Sequence, residues 1–383
     1  LSDPSTFILT FQTLWFFESF ISQLIVIISL RSSNSLLKSK PSIMMLIAFV
    51  ISICLVFILI YSPLNKIFLL EAISPLYYLF ILLVIILYIA LVTIAKKLYL
   101  KKSELYYIKS KDILTYARDH KIAHGAFNVN ALCQAKAVIE ACEELRCAAI
   151  IQVAEPGLAF IGGNPDFLHG TIEEKKLGAK RIATYVKKLA ENTFIPVSLH
   201  LDHGRSFETC KICINAGFNS VMIDGSSLPY EENVALAKKV ATFAHKHDVS
   251  VEAELGVLAG QEDHVFAASS TYTNPMTAID FLKRTKVDLL AISYGTKHGA
   301  VKGDNVVLRK EIAIATMENM RHEGVDAVLV SHGSSLVPQY IVNEINALGG
   351  QVKGHGIPIE QLKEVIPCGI SKINMDTDIR LAT

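Results

Sequence analysis

In PVSLHLDHGRSFETC (residues 196–210), a run of strand-forming residues delivers Asp202 and His203 side by side at its end. A carboxylate next to an imidazole can move protons or help hold a cation. His298-Gly299 and His332-Gly333 repeat the His203-Gly204 pattern, and both follow apolar runs of their own. Three imidazoles from three strand ends suit one catalytic Zn2+, because three protein ligands leave a coordination position open for substrate. Cobalt or iron would accept the same donors. The glycines permit close backbone approach beside a crowded site. The competing reading makes each histidine a satisfied polar residue in a phosphate-binding mouth. Glu254, at the end of another run, adds a carboxylate. His245, His247 and His322 read as solvated helix residues, and His200 as a core or supporting residue.

The elements that must position these groups begin near Tyr116. Short apolar runs cover 124–130, 148–154, 196–204, 220–226, 249–256, 289–296, 327–335 and 370–376, with stretches of helical period between them. Eight strands with crossovers predict a (β/α)8 barrel, whose chemistry sits at the C-terminal strand ends. The rival, an open doubly wound sheet, lacks its Gly-rich dinucleotide fingerprint after the first strand. Neighbouring strand residues point to opposite sides, so a bulge or strand end must bring Asp202 and His203 to one mouth. The glycine turn after His203 is the expected device.

Of the 383 residues 51% are apolar, and the excess is concentrated at the start. Gln12–Leu30, Ser42–Tyr61 and Leu76–Ile94 are long enough to span a bilayer, and the second and third carry no charge. Residues 1–110 hold nine Lys/Arg against four Asp/Glu, while the remainder holds 28 against 32. The early basic residues cluster at Arg31, Lys38 and Lys40 and again at Lys96–Lys102, which predicts both clusters on the cytoplasmic side. The mildly acidic second part carries no electrostatic footprint for nucleic acid. Seven cysteines in a cytoplasmic setting are expected as free thiols, the Cys210–Cys213 spacing being incidental.

Taken together, HLDHG, VEAELG with GQED, YTNP, GTKHG, SHGSS and KINMDTDIRLA resemble, in order, the signature blocks of class II, metal-dependent fructose-bisphosphate aldolases. Tagatose-bisphosphate aldolases share the blocks, and no residue here separates the two. The resemblance implies metal ligands at His203, His298 and His332, with Glu254 close to the metal. It implies a catalytic acid/base at Asp202 for the C4 hydroxyl and a proton donor at Glu262. Gly299, Gly333, Ser335, Asp376 and Thr377 then hold phosphate, and Asn374 contacts substrate. A sugar bisphosphate substrate, a monovalent cation near the phosphate and a homo-oligomeric barrel are also implied. Residues 1–110 resemble the last membrane helices of a P-type cation-transporting ATPase, most like the magnesium-transporting group. In that reading Glu18 and Gln23 face inward.

The expectation is therefore an α/β protein with a TIM barrel at 111–383, C-terminally truncated where the eighth strand should feed its closing helix. Three transmembrane helices within 1–103 precede it, entering the membrane through residues 12–94. Leu336 and Ala154 stand where the family often has small residues and serine. Two origins are open for the joint: a genuine membrane-tethered aldolase with its barrel in the cytoplasm, or an ATPase fragment run into a neighbouring aldolase gene by gene-model error, which leaves a cytoplasmic barrel. In steady-state assays His298→Ala abolishes turnover and His245→Ala leaves it nearly intact; equal effects would contradict the ligand assignment.

Overall fold

The computed structural model describes residues 4–30, 41–101, 106–166, 169–262, 265–267, 269–299, 302 and 306–383. The chain divides into two units, Leu1–Glu104 and Leu105–Thr383.

The first unit holds helices α1 (Pro4–Leu30), α2 (Ile43–Tyr61) and α3 (Pro75–Lys101). Three stretches within them, Thr6–Ile28, Ile43–Tyr61 and Pro75–Ala95, are long and apolar enough to cross a membrane. The first helix begins well before Gln12. Phe17, Ile21, Ile25, Val56, Ile60 and Ile81 form a buried seam. Most other apolar side chains point outward, Leu55, Ile58, Leu83 and Leu87 each being more than half exposed. Such a surface is suited to an apolar surrounding. Glu71 ties the unit together at one end: its carboxylate accepts from Thr10 Oγ1 at 3.1 Å and its amide donates to Thr13 Oγ1 at 2.8 Å. Glu18 is half-buried but Gln23 is exposed, so the inward orientation expected of both does not hold for Gln23.

In the second unit, α4 (Ser110–Asp119) leads into β1 (His124–Asn128), α5 (Leu132–Leu145), β2 (Ala149–Ala154), α6 (Glu155–Gly162), α7 (Ile172–Ala190) and β3 (Val197–Gly204). There follow α8 (Phe207–Ala216), β4 (Ser220–Ile223), α9 (Tyr230–His245), β5 (Ser250–Leu255), and the hairpin strands β6 (Gly260–Glu262) and β7 (Val265–Ala267). The chain continues with α10 (Pro275–Thr285), β8 (Leu289–Ile292), α11 (Lys310–His322), β9 (Val328–Ser331), α12 (Gln339–Ala347), α13 (Ile359–Val365), β10 (Ile370–Met375) and α14 (Thr377–Leu381). Eight parallel strands close in the order β1-β10-β9-β8-β5-β4-β3-β2, while β6 and β7 pair antiparallel outside the barrel. Each barrel strand coincides with one of the apolar runs read from the sequence.

Strand side chains alternate, and the two sides of this barrel differ in character. Leu199, Leu201, Val251, Ala253 and Ile373 pack outward with the helix layer. Inside, toward the N-terminal end, Ala126, Ile150, Leu289, Ala291, Val328 and Val330 pack with Ile113 and Leu114 of α4, which plugs that mouth. Above this plug the interior turns polar, with His200, Asp202, Glu252, Glu254, Lys372 and Asn374 all buried. All seven cysteines are free, and Cys210 and Cys213 lie buried in α8.

The plug is fastened by charge. Asp288 accepts from Lys111 Nζ at 2.9 Å, from His245 Nε2 at 2.9 Å and from the Val251 amide at 2.8 Å. His245 is thus a hydrogen-bond partner of Asp288 rather than a purely solvated residue. Burial opposes the Asp288 charge, yet the bonds from His245, Lys111 and Val251 outweigh it and hold the carboxyl below its usual range. A depressed folded pKa contributes stability above the unfolded value of about 4, and that stability is lost as pH falls through the folded value. Asp288→Asn is expected to cost about 2 kcal/mol, the scale of hydrogen bonds to a charged group. It should also flatten the acid limb of stability; an unchanged acid limb in denaturant titrations of the full chain would contradict this.

Candidate active site

His203 is delivered by a distortion inside β3 itself. Pairing with β4 runs His200↔Ser220 and Leu201↔Val221, then resumes only at Gly204↔Ile223, so the register shifts between Leu201 and Gly204. His203 takes φ 44°, the left-handed region. A non-glycine residue held there costs about 1–3 kcal/mol and persists only when its surroundings impose it. The device that turns Asp202 and His203 to one mouth is therefore the histidine's own backbone and the bulge, not a glycine turn beyond it.

The His203 ring is clamped by Asp224, whose Oδ2 lies 3.0 Å from Nδ1 and 2.5 Å from Arg205 Nη1. Burial opposes the Asp224 charge, but His203, Arg205 and Ser226 hold the carboxyl far below its usual range. Carboxylates only accept, so Nδ1 of His203 carries the proton and Nε2 presents a lone pair. On the other side His332 Nε2 lies 2.6 Å from Glu252 Oε1. Asn374 Nδ2 lies farther from the same nitrogen, at 3.2 Å, so Glu252 is its closer partner, and a proton held toward that carboxylate leaves His332 Nδ1 with a lone pair. These two nitrogens, His203 Nε2 and His332 Nδ1, are 2.8 Å apart. Two facing lone pairs at that distance repel unless a proton or a metal cation is shared between them. The donor set fits a metal ion.

Glu254 Oε2 lies 3.5 Å from His332 Nδ1. Ring centroids of His298 stand 5.5 Å from His203 and 6.5 Å from His332. Among the described residues, the tight donor groups with ligand atoms within 4.8 Å are Asp202–His203–His332 and His203–Asp224–Glu254; His298 is in neither. Burial, with His203, His332 and Lys302 nearby, pushes the His298 pKa well down, which keeps its imidazole neutral and able to donate a lone pair. Its backbone is gripped by glycines. A Cβ on Gly260 would meet the His298 carbonyl oxygen at 2.4 Å, and one on Gly333 would meet the Lys297 carbonyl oxygen at 2.4 Å.

Asp202 Oδ2 accepts from Asn128 Nδ2 at 2.7 Å, Asn128 in turn accepts from Gln152, and Oδ1 accepts from Asn374 Nδ2 at 3.2 Å. Burial raises the Asp202 pKa, but His203, His332, Lys372 and Asn128 outweigh it and keep the carboxyl ionised. The buried Asn374 Oδ1 has no hydrogen-bond partner among the described residues. Ser335 Oγ accepts from the amides of Asp376 at 3.3 Å and Thr377 at 3.2 Å, joining the ends of β9 and β10. The Asp376 carboxylate pairs with Arg380 Nε at 2.8 Å. Leu336 packs against the core while its amide donates to Asp378, so its size is absorbed inward. Gly299 takes φ 86° directly after His298. Glu262 closes β6, and its side chain lies outside the described part of the structure.

The sequence model of fructose-bisphosphate aldolase class-II matches residues 108–383. The chain belongs to this family. Residues 2–98 match the C-terminal model of cation transporting ATPases. A fructose-bisphosphate aldolase of Treponema pallidum is 40% identical over 287 residues, covering 72% of this chain and 83% of its own length. One from Thermus caldophilus is 39% identical, covering 71% and 83%. Among solved structures, the YdjI aldolase of Escherichia coli K12 superposes with a TM-score of 0.52 at 28% identity, over 70% of this chain and 81% of that one. A fructose-bisphosphate aldolase of Campylobacter jejuni gives a TM-score of 0.55 at 25% identity, over 71% and 77%.

Three residues of this aldolase-family site escaped the sequence reading. Asp224 directly follows β4 within the run SVMIDGS, and the strand-end rule applied to His203 would have found it. Asn128 sits in the first run, HGAFNVN, where nothing local marks it. Glu252 alternates with Glu254 and is revealed only by its partner His332. Asp202→Asn should preserve the fold and metal binding while lowering kcat by about 10²–10⁴-fold, the usual contribution of a positioned base; a loss below tenfold would exclude the role.

Proposed function

We propose that the barrel cleaves and forms fructose 1,6-bisphosphate, releasing dihydroxyacetone phosphate and glyceraldehyde 3-phosphate, with one Zn2+ held by His203, His298 and His332. The observation that carries this reading is the 2.8 Å approach of His203 Nε2 to His332 Nδ1, with a carboxylate against the opposite nitrogen of each ring. Such a pair accommodates a shared proton or a metal cation, and three imidazoles favour zinc. Glu254, 3.5 Å from His332, offers an alternative metal position. When bound, the ion supplies Lewis-acid stabilisation of the negative charge that develops on the C2 and C3 oxygens.

The remaining steps fall to the chain. Asp202, ionised and fixed by two amides, takes the proton from the C4 hydroxyl. The C3–C4 bond breaks, its electron pair stays with C3, and C4 leaves as the aldehyde of glyceraldehyde 3-phosphate. Glu262 returns a proton to C3 and completes dihydroxyacetone phosphate. Asn374 offers its unpartnered buried oxygen to a substrate hydroxyl. Gly299, Gly333, Ser335, Asp376 and Thr377 surround the phosphate, with a monovalent cation beside it; backbone amides at a loop of this kind form anion-binding concavities. Lys372 is not a Schiff-base nucleophile, being fully buried and paired with Glu252 at 2.7 Å. Tagatose bisphosphate differs at C4, where Asp202 acts, and is the second substrate to compare.

The first unit anchors the barrel at the membrane in this reading. Lys and Arg at 31–40 and 96–102 favour the cytoplasmic side for the chain that follows α3. Membranes from cells making the full chain should cleave fructose 1,6-bisphosphate in a coupled assay. Activity should vanish on chelation and return with zinc. Activity that survives thorough metal removal would reject the mechanism, and activity found only in a soluble, shorter product would reject the tether.

A further inference from the structure

Beneath the site lies a second charged tier that the reaction steps leave unused. Glu252, Lys372 and His200 are each 0% exposed. They come from β5, β10 and β3, two residues before Glu254, Asn374 and Asp202 respectively. Because strand side chains alternate, each residue of this tier stands directly under a residue of the site on the same inward face. Glu252 is the hub. Its Oε1 lies 2.6 Å from His332 Nε2, and its Oε2 lies 2.7 Å from Lys372 Nζ and 3.5 Å from His200 Nε2. His200 is anchored in turn through Nδ1 to Ser220 Oγ at 2.7 Å.

An isolated carboxylate sealed in a barrel interior is strongly disfavoured, and so is an isolated ammonium. Neither Glu252 nor Lys372 would stay charged there alone. Together they leave one carboxylate oxygen aimed at His332. The contact falls on Nε2, the ring atom opposite the one that faces His203, so Glu252 supports the histidine from behind and is not itself a ligand.

We propose that Glu252, kept anionic by Lys372, is the positioning residue that fixes the proton of His332 on Nε2 and thereby sets the metal affinity of the site. The inference rests on the metal reading above and deepens it. An imidazole whose far N–H is held by a carboxylate is both oriented and made a stronger donor. Lys372 sits on the strand that also carries Asn374, so the same strand supplies the countercharge below and a substrate contact above.

The test is zinc affinity of the full chain in detergent, measured by competition with a chromogenic chelator. The variants are E252Q/K372M, which removes both charges and leaves neither ion stranded, and E252Q alone. Glutamine is a weaker acceptor and can present its NH2 to Nε2, which would move the histidine proton onto Nδ1. Zinc affinity should fall by about 10–100-fold in either variant, the scale observed for losing such a partner. If the double variant does not fold, E252Q carries the same test. Circular dichroism at the temperature of the binding assay identifies the folded samples. Wild-type affinity in a folded variant would overturn the proposal and leave the metal reading standing. Absence of zinc binding by the unsubstituted chain would overturn both.

Discussion

The structure turns on two nitrogens. His203 Nε2 and His332 Nδ1 stand 2.8 Å apart, and each ring has a carboxylate against its other nitrogen. Asp224 grips one ring and Glu252 the other, and neither can donate. With both protons drawn toward those carboxylates, the two facing lone pairs favour a positive charge between them. The cost of assembling the arrangement shows in the backbone, where His203 adopts φ 44° beside a break in strand pairing. Extensive burial on both sides of β3 holds that conformation in place.

A sealed floor lets this arrangement work. Ile113 and Leu114 close the N-terminal mouth against inward-facing apolar residues of β1, β2, β8 and β9, and Asp288 pins the plug by its bond to Lys111. Water is kept from that end, so the charged tier above it interacts in a low-dielectric interior where each contact is stronger and each unpaired group more costly. The polarity gradient along the barrel axis, from hydrocarbon to ions, is what allows a carboxylate, an ammonium and two imidazoles to share one small volume.

Most of the architecture was legible because parallel barrel strands are buried on both faces and therefore read as continuous apolar runs. The histidine–glycine repeats marked His203, His298 and His332, and the position of Asp202 beside His203 posed the question of how both reach one mouth. The device itself was not legible. A positive φ at a histidine has no sequence signature, whereas glycine at the next position invites the wrong explanation. Supporting residues were equally silent. Asn128, Asp224 and Glu252 earn their roles from partners 74, 21 and 80 residues away, a relation that only the closed sheet creates. His245 looked like a solvated helix residue because Asp288, its partner, lies just before a strand 43 residues later.

The pairwise stacking of 200 under 202, 252 under 254 and 372 under 374 has a consequence for how the chain finds its native state. If β3, β5 or β10 slid by a single position, its ionic side chains would swing into the greasy jacket of helices, and Leu201, Ala253 or Ile373 would be thrust among the ions. Each misplacement strands charge in hydrocarbon, at several kcal/mol per group. The buried polar residues at the barrel mouth therefore double as proofreaders of alignment, disfavouring mispaired barrels.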